Sequence, residues 1–148
     1  MLIEHILYAK GRDVATIGPD ASVAEAVALL REHNVGALVV VDAESRIVGI
    51  LSERDIVRAL AEDAIGHTPI LEREVSDLMT REVATCGSRS TAYDLMRIMT
   101  DHRIRHVPVV DDDSLNGIVS IGDVVKSRIE ELETEAGTLH DYLSSGRT

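Results

Sequence analysis

The chain has 148 residues, 45% apolar but only 2% aromatic, with no Trp and no Phe, so its core has to be built from Val, Ile, Leu, Ala and Met. A formal net charge of -11 argues against non-specific nucleic-acid binding, which needs clustered Lys and Arg to displace counterions, and against an anionic membrane surface. The single cysteine, Cys86, excludes an intrachain disulfide, and with no secretory pattern at the start it points to a reducing cytoplasm.

The opening segment, residues 1–13, carries Leu2, Ile3, Ile6 and Leu7 at helical spacing. It predicts a short amphipathic helix, too short and too charged to span a membrane. An extended piece follows at Val14–Ile17. Ser22, with Glu25 three residues on, then opens a helix whose stripe is Val23, Ala26, Val27 and Leu30. Ala37–Val41 is a nearly continuous apolar run, the mark of a strand covered on both faces. The polar turn DAESR leads to a strand at Ile47–Leu51, and a helix begins at Ser52. The stretch 64–74, with Gly66 and Pro69, reads as a linker, and Val75–Thr80 as a helical turn.

The remainder restates the first half. R-D-V-A-T-I-G from Arg12 and R-E-V-A-T-C-G from Arg81 share five of seven residues at an offset of 69. That offset puts Ser22 on Thr91, Glu25 on Asp94, His33 on His102 and Asp42 on Asp111. One fewer residue in the second turn drops it to 68, and Gly49, Ile50, Ser52 and Asp55 then fall on Gly117, Ile118, Ser120 and Asp123. The second copy therefore predicts an extended piece at Val83–Cys86, a helix with the stripe Ala92, Leu95, Met96 and Met99, and strands at Val107–Val110 and Gly117–Val119. Its closing helix starts at Ser120 and runs on with Val125, Ile129, Leu132, Ala136, Leu139 and Leu143 as a stripe. Each copy reads β-α-β-β-α. The expected organisation is a helical segment 1–13, repeat one 14–63, linker 64–74, repeat two 75–129, and a helix and tail 130–148. About 60 residues bury little surface alone, so the two sheets are expected to cover each other in one pseudo-twofold module.

Three features carry a resemblance: V-S-D-L-M-T at Val75–Thr80, R-I-R-H-V-P-V-V-D at Arg103–Asp111, and G-x-x-S-x-x-D twice. In these the chain resembles a tandem pair of CBS domains, the Bateman module, and looks most like bacterial CBS-pair proteins with no attached enzyme or transporter domain. The resemblance covers about Val14 to Ile129. It implies an α+β fold of α/β type and a non-enzymatic sensor. The ligand it implies is adenosine-containing, bound in clefts between the repeats: AMP first, with ATP, ADP, NAD or S-adenosylmethionine as alternatives. With the stripe of the closing helix it also implies a homodimer, the alternative being that this helix folds back on its own module. The other reading is an interaction module whose sites have decayed and which docks a partner enzyme or transporter.

The resemblance places Asp55 and Asp123 on ribose hydroxyls, and Ser52 and Ser120 on the phosphate side with Arg54, Arg105 and His106. The residue types suit that chemistry. A strand entering a helix presents free N–H groups and a favourable dipole to a phosphate. A carboxylate accepts from two vicinal hydroxyls, and Gly49 and Gly117 would permit close backbone approach. Ser-x-x-Asp is equally a helix-capping box, and the two roles can coexist. Ile17, Leu38 and Ile50 in one copy, and Cys86, Val107 and Ile118 in the other, are candidate adenine walls or plain core, with Thr16 and Thr85 at the first strands. Arg54 stands where the second copy has Gly122, so the two sites are expected to differ. No metal site and no catalytic residue is predicted: His102 and His106 straddle a helix-to-strand junction with no completing ligand.

Overall fold

A computed structural model of the chain describes residues 1–62 and 69–145; residues 64–68 of the predicted linker and the tail residues 146–148 lie outside that range. Among the described residues the elements are α1 (Ile3–Lys10), β1 (Thr16–Ile17), α2 (Val23–His33), β2 (Ala37–Val41), β3 (Ile47–Ser52), α3 (Glu53–Glu62), a 3-10 turn (Ile70–Glu72), α4 (Val75–Leu78), α5 (Ala92–His102), β4 (His106–Asp111), β5 (Ser114–Ser120) and α6 (Ile121–Ser145). This is the expected α+β composition, with the short N-terminal and long C-terminal helices in place.

The helix starts follow the capping chemistry in the sequence. Ser22 Oγ accepts from the Glu25 amide at 3.1 Å. Thr91 and Asp94 close both halves of a capping box, at 3.1 Å each. The equivalent helices α2 and α5 end alike, on Asn34 (φ 52°) and Arg103 (φ 54°), both left-handed, which reverses the chain toward the next strand.

β1 runs parallel to β2, pairing Thr16 with Val39 and Ile17 with Val40. β2 and β3 are antiparallel, from Ala37↔Ser52 to Val40↔Gly49, with a register shift before Val41↔Ile47. Asp42 stabilises the intervening turn by accepting from the Glu44 and Arg46 amides at 3.0 and 2.9 Å. β4 and β5 form the other sheet. Their connection is shorter, and Asp112 and Asp113 both take positive φ (49° and 60°), as a two-residue type I′ turn requires. The strand predicted at Val83–Cys86 contracts to one parallel bridge, Cys86↔Val109, with the Cys86 amide on Pro108 O at 3.1 Å and Val110 N on Cys86 O at 2.8 Å.

Two compact units result, and neither is a continuous half of the chain. One comprises Met1–Arg12, Thr85–Asp111 and Gly117–Thr148; the other comprises Asp13–Ala84 and Asp112–Asn116. In the first, Ile3, Ile6 and Leu7 of α1 enter one core with Leu95, Met99, Val107, Val109 and Val119. In the second, Val75 and Met79 pack with Ile17, Ala26, Leu30, Leu38, Val40 and Leu51. Helix α1, ahead of repeat one, thus packs in the unit built on the strands of repeat two, and α4, at the opening of repeat two, packs in the unit built on the strands of repeat one. β2 is buried along Ala37–Val40, as its unbroken apolar run required.

Candidate functional site

Both G-x-x-S-x-x-D stretches fold the same way: the last strand of the repeat ends on the Ser, and the closing helix begins at the next residue. The first amide of each helix is satisfied by the residue just ahead of the adjacent strand. Glu53 N donates to Gly36 O at 3.0 Å and Ile121 N to Arg105 O at 2.8 Å, and Gly36 and Arg105 are repeat equivalents. The Ser and Asp then close a box. Asp55 Oδ2 accepts from Ser52 N (2.9 Å) and Ser52 Oγ (3.1 Å), and Ser52 Oγ faces the Asp55 amide at 3.3 Å. Asp123 Oδ2 accepts from Ser120 N (2.8 Å) and Ser120 Oγ (3.0 Å), with Ser120 Oγ 3.2 Å from the Asp123 amide. The capping role is therefore present at both helices, with the Asp55 side chain 9% and the Asp123 side chain 23% exposed at the strand ends.

The glycines of the motif serve a close approach by the chain itself. Neither Gly49 nor Gly117 takes a positive φ. A Cβ at Gly49 would lie 2.6 Å from Met79 Sδ and 3.0 Å from Thr80 O; one at Gly117 would lie 2.6 Å from Leu7 Cδ2. The space is taken by the segments that follow α4 and form α1.

The two carboxylates differ in what reaches them from afar. At Asp55, Thr80 donates its hydroxyl to Oδ1 at 3.2 Å, and the backbones of Ile50 and Thr80 exchange hydrogen bonds at 3.0 and 2.9 Å. Arg58 Nη1 stands 4.0 Å from the same Oδ1. Asp55, Arg58 and Thr80, with Arg73 and Asp77, line a cleft of about 300 Å³. At Asp123, Lys10 donates its ammonium to Oδ2 at 2.6 Å and to Ile118 O at 2.8 Å. Burial pushes the Asp123 carboxyl pKa upward, but the hydrogen bond from Lys10, the Ser120 amide and the nearby positive charge outweigh it, leaving it below the ordinary carboxylate value.

Leu38 and Val107 are fully enclosed, and Ile17 and Cys86 nearly so, so all four belong to the two cores. Ile50 and Ile118 are half-buried, and Thr16 and Thr85 are exposed. Burial and the neighbouring Asp111 raise the Cys86 thiol to about 11, so it is protonated at neutral pH. Arg54 is exposed on α3, and His106 is half-buried at the start of β4. Arg105 lines an apolar groove of about 710 Å³ along α6 with Ile121, Val125 and Ile129. Among the described residues no group of three or more His, Cys, Asp or Glu could hold a metal ion, and no helix is long and apolar enough to cross a membrane.

Sequence reasoning missed Lys10, Thr80, Arg58 and Arg73. Thr80 lay inside the V-S-D-L-M-T stretch without a role. Lys10 carried one signal only: at the offset of 69 it falls on Met79, a cation opposite a thioether.

Two repeats, β-α-β-β-α in the first and the same with its opening strand reduced to one bridge in the second, each closed by a Ser-x-x-Asp helix start, define a tandem CBS-domain protein. The CBS domain family model matches residues 10–62 and 75–130, and the chain belongs to that family. It is 47% identical to the CBS-domain containing protein ATU1752 from Agrobacterium tumefaciens, whose crystal structure superposes with a TM-score of 0.81 over 86% of this chain and 92% of that one. It is 30% identical, with a TM-score of 0.74 over 85% of this chain and 98% of that one, to the CBS domain pair of protein MJ0100, solved in complex with 5′-methylthioadenosine and S-adenosyl-L-methionine. The mitochondrial CBS domain-containing protein CBSX3 of Arabidopsis thaliana is 37% identical over 131 residues; these are 86% of this chain but 62% of that protein.

Proposed function

We propose that the chain is a non-enzymatic regulatory module that binds an adenosine-containing ligand at its closing-helix starts, with AMP the first candidate and ADP, ATP, NAD and S-adenosylmethionine the alternatives. The observation that carries this is the doubled helix start. A largely buried carboxylate is held at a strand end by its own Ser, in a geometry that suits a vicinal diol. The complex of the MJ0100 pair with two adenosine compounds supports the same reading. In this assignment Asp55 and Asp123 accept from the ribose, and Ser52 and Ser120 lie on the phosphate side. Thr16, Thr85, Ile50 and Ile118 are the accessible candidates for the base, backed by Ile17, Leu38, Cys86 and Val107. Arg54, Arg105 and His106 complete the phosphate side of this assignment.

The reading also includes a cytoplasmic homodimer. Its support is the long helix α6, along which Val125, Ile129, Leu132, Leu139 and Leu143 are each about half exposed. The same stripe favours the second reading, a module that docks a partner enzyme or transporter whether or not ligand is present.

A thermal-shift and calorimetric screen of AMP, ADP, ATP, NAD and S-adenosylmethionine tests the proposal. A ligand at a hundredfold excess over Kd stabilises the fold by about 2.7 kcal/mol. No response to any of the five at millimolar concentration overturns it.

A further inference from the structure

The two helix starts are alike in their Ser and Asp and unlike in what touches the carboxylate. Asp123 Oδ2 already accepts from Ser120 N, Ser120 Oγ and the Lys10 ammonium. Lys10 is itself tied down by Ile118 O, and its side chain and that of Asp123 are about a third and a quarter exposed. Met79 holds the equivalent position in the other unit, beside Gly49, and brings no charge to Asp55. A nucleoside approaching Asp123 must therefore displace a partly buried cation in direct hydrogen bond with the carboxylate, whereas one approaching Asp55 meets the Thr80 hydroxyl at 3.2 Å and a largely exposed Arg58 guanidinium no nearer than 4.0 Å.

Displacing Lys10 separates an ion pair. If the ligand brings only hydroxyls, they can replace the ammonium at Asp123, but Lys10 is left without its counter-charge in a partly desolvated place, which is costly. If the ligand also brings a phosphate, the exchange closes: hydroxyls take the carboxylate and the phosphate takes the ammonium. The lysine stem is flexible enough for that swing, and its compact ammonium is a good phosphate partner.

Resting on the adenosine-ligand reading above, we infer that Lys10 is a specificity-determining residue, which closes the Asp123 site to uncharged nucleosides and admits phosphate-bearing nucleotides. The Asp55 site lacks this requirement. The two repeats then differ in the class of ligand they accept.

The test is calorimetric titration of the full chain with AMP and with 5′-methylthioadenosine, the same nucleoside core without a phosphate. Wild type, Lys10→Met and Lys10→Arg are compared, each also with Asp55→Asn so that heat reports the Asp123 site. Methionine is what the chain itself places at the equivalent position, and Ile3, Ile6 and Leu7 still hold α1; far-UV circular dichroism checks the fold. In the Asp55→Asn background AMP should bind about tenfold more tightly than methylthioadenosine, the worth of one charge-assisted hydrogen bond. Lys10→Met should bring the two within about threefold, and Lys10→Arg should keep the preference. An AMP preference unchanged by Lys10→Met overturns the inference, as does equal binding of both compounds with Lys10 intact. Ligand binding that vanishes entirely with Asp55→Asn also overturns it. Should neither compound bind wild type, the inference fails, and the five-ligand screen above decides separately whether the adenosine reading fails with it. If Asp55→Asn does not fold, the stoichiometry of each compound on wild type and Lys10→Met gives the same discrimination.

Discussion

Gly117→Ala is a small change with a calculable cost. The added methyl would sit 2.6 Å from Leu7 Cδ2 and 3.1 Å from Leu7 Cδ1. Carbon atoms pack best at about 3.5–4.0 Å, so the overlap is about an ångström. Leu7 is fully buried in the core that also holds Leu95, Val107 and Val119, so it has little room to retreat. Overpacking of this kind costs about 1–3 kcal/mol. Leu7→Ala alone removes the obstacle but leaves a cavity, at about 2–5 kcal/mol. In the double variant the new methyl enters space that Leu7 has left. The two costs should then fall short of their sum by about 1–2 kcal/mol, a coupling typical of residues in contact. Urea unfolding followed by circular dichroism at 222 nm is the appropriate assay, since the chain has no Trp, with unchanged m-values required for the comparison. Strict additivity would falsify the claim that Gly117 is required for space against Leu7. Gly49→Ala should be the more severe change, because part of what it meets is the Thr80 carbonyl, which is backbone, at 3.0 Å.

Three further outcomes follow from the geometry. Asp123 has a folded-state pKa below its ordinary value of 3.8, so its contribution to stability is present above 3.8 and is lost as pH falls through the depressed value. The stability gap between wild type and Asp123→Asn should therefore be constant near pH 7 and shrink below about pH 4; a gap that widens on acidification contradicts the Lys10 pairing. Cys86, with its thiol raised to about 11, should react with a disulfide reagent at pH 8 far more slowly in the native state than in urea. Equal native and unfolded rates would show that the thiol is not enclosed. Light scattering should give twice the chain mass, and Ile129→Glu with Leu132→Glu should halve it with the far-UV spectrum intact; a wild-type monomer refutes the α6 contact.

The sequence made local structure legible where a short-range rule decides it. Ser22 and Thr91 marked helix starts because a side-chain oxygen three residues from an amide is a local bond. The Ala37–Val41 run marked a strand that the structure reproduces residue for residue. The Val83–Cys86 strand was overread: its apolar alternation resembles that of Val14–Ile17, but only Cys86 meets a neighbour. Gly49 and Gly117 read as permitting close approach at a ligand site, and what lies against them in the structure is Met79 and Leu7. The Lys10–Asp123 pair bridges 113 positions, and no periodicity or spacing rule reaches that far. Leu38 and Val107 read equally well as pocket wall or core, since an apolar side chain on a strand fits both; their complete enclosure makes them core.

The interleaving of the two units bears on how the chain can be divided. A cut in the stretch between the repeats would give one fragment that keeps α1 but has lost Val75 and Met79 from its core, and another that keeps α4 but has lost Ile3, Ile6 and Leu7. Neither piece would be a smaller version of the whole. Each would carry the missing wedge of the other, so the pair is suited to reconstitution from two polypeptides mixed in equal amounts, in which assembly itself becomes the measurable event.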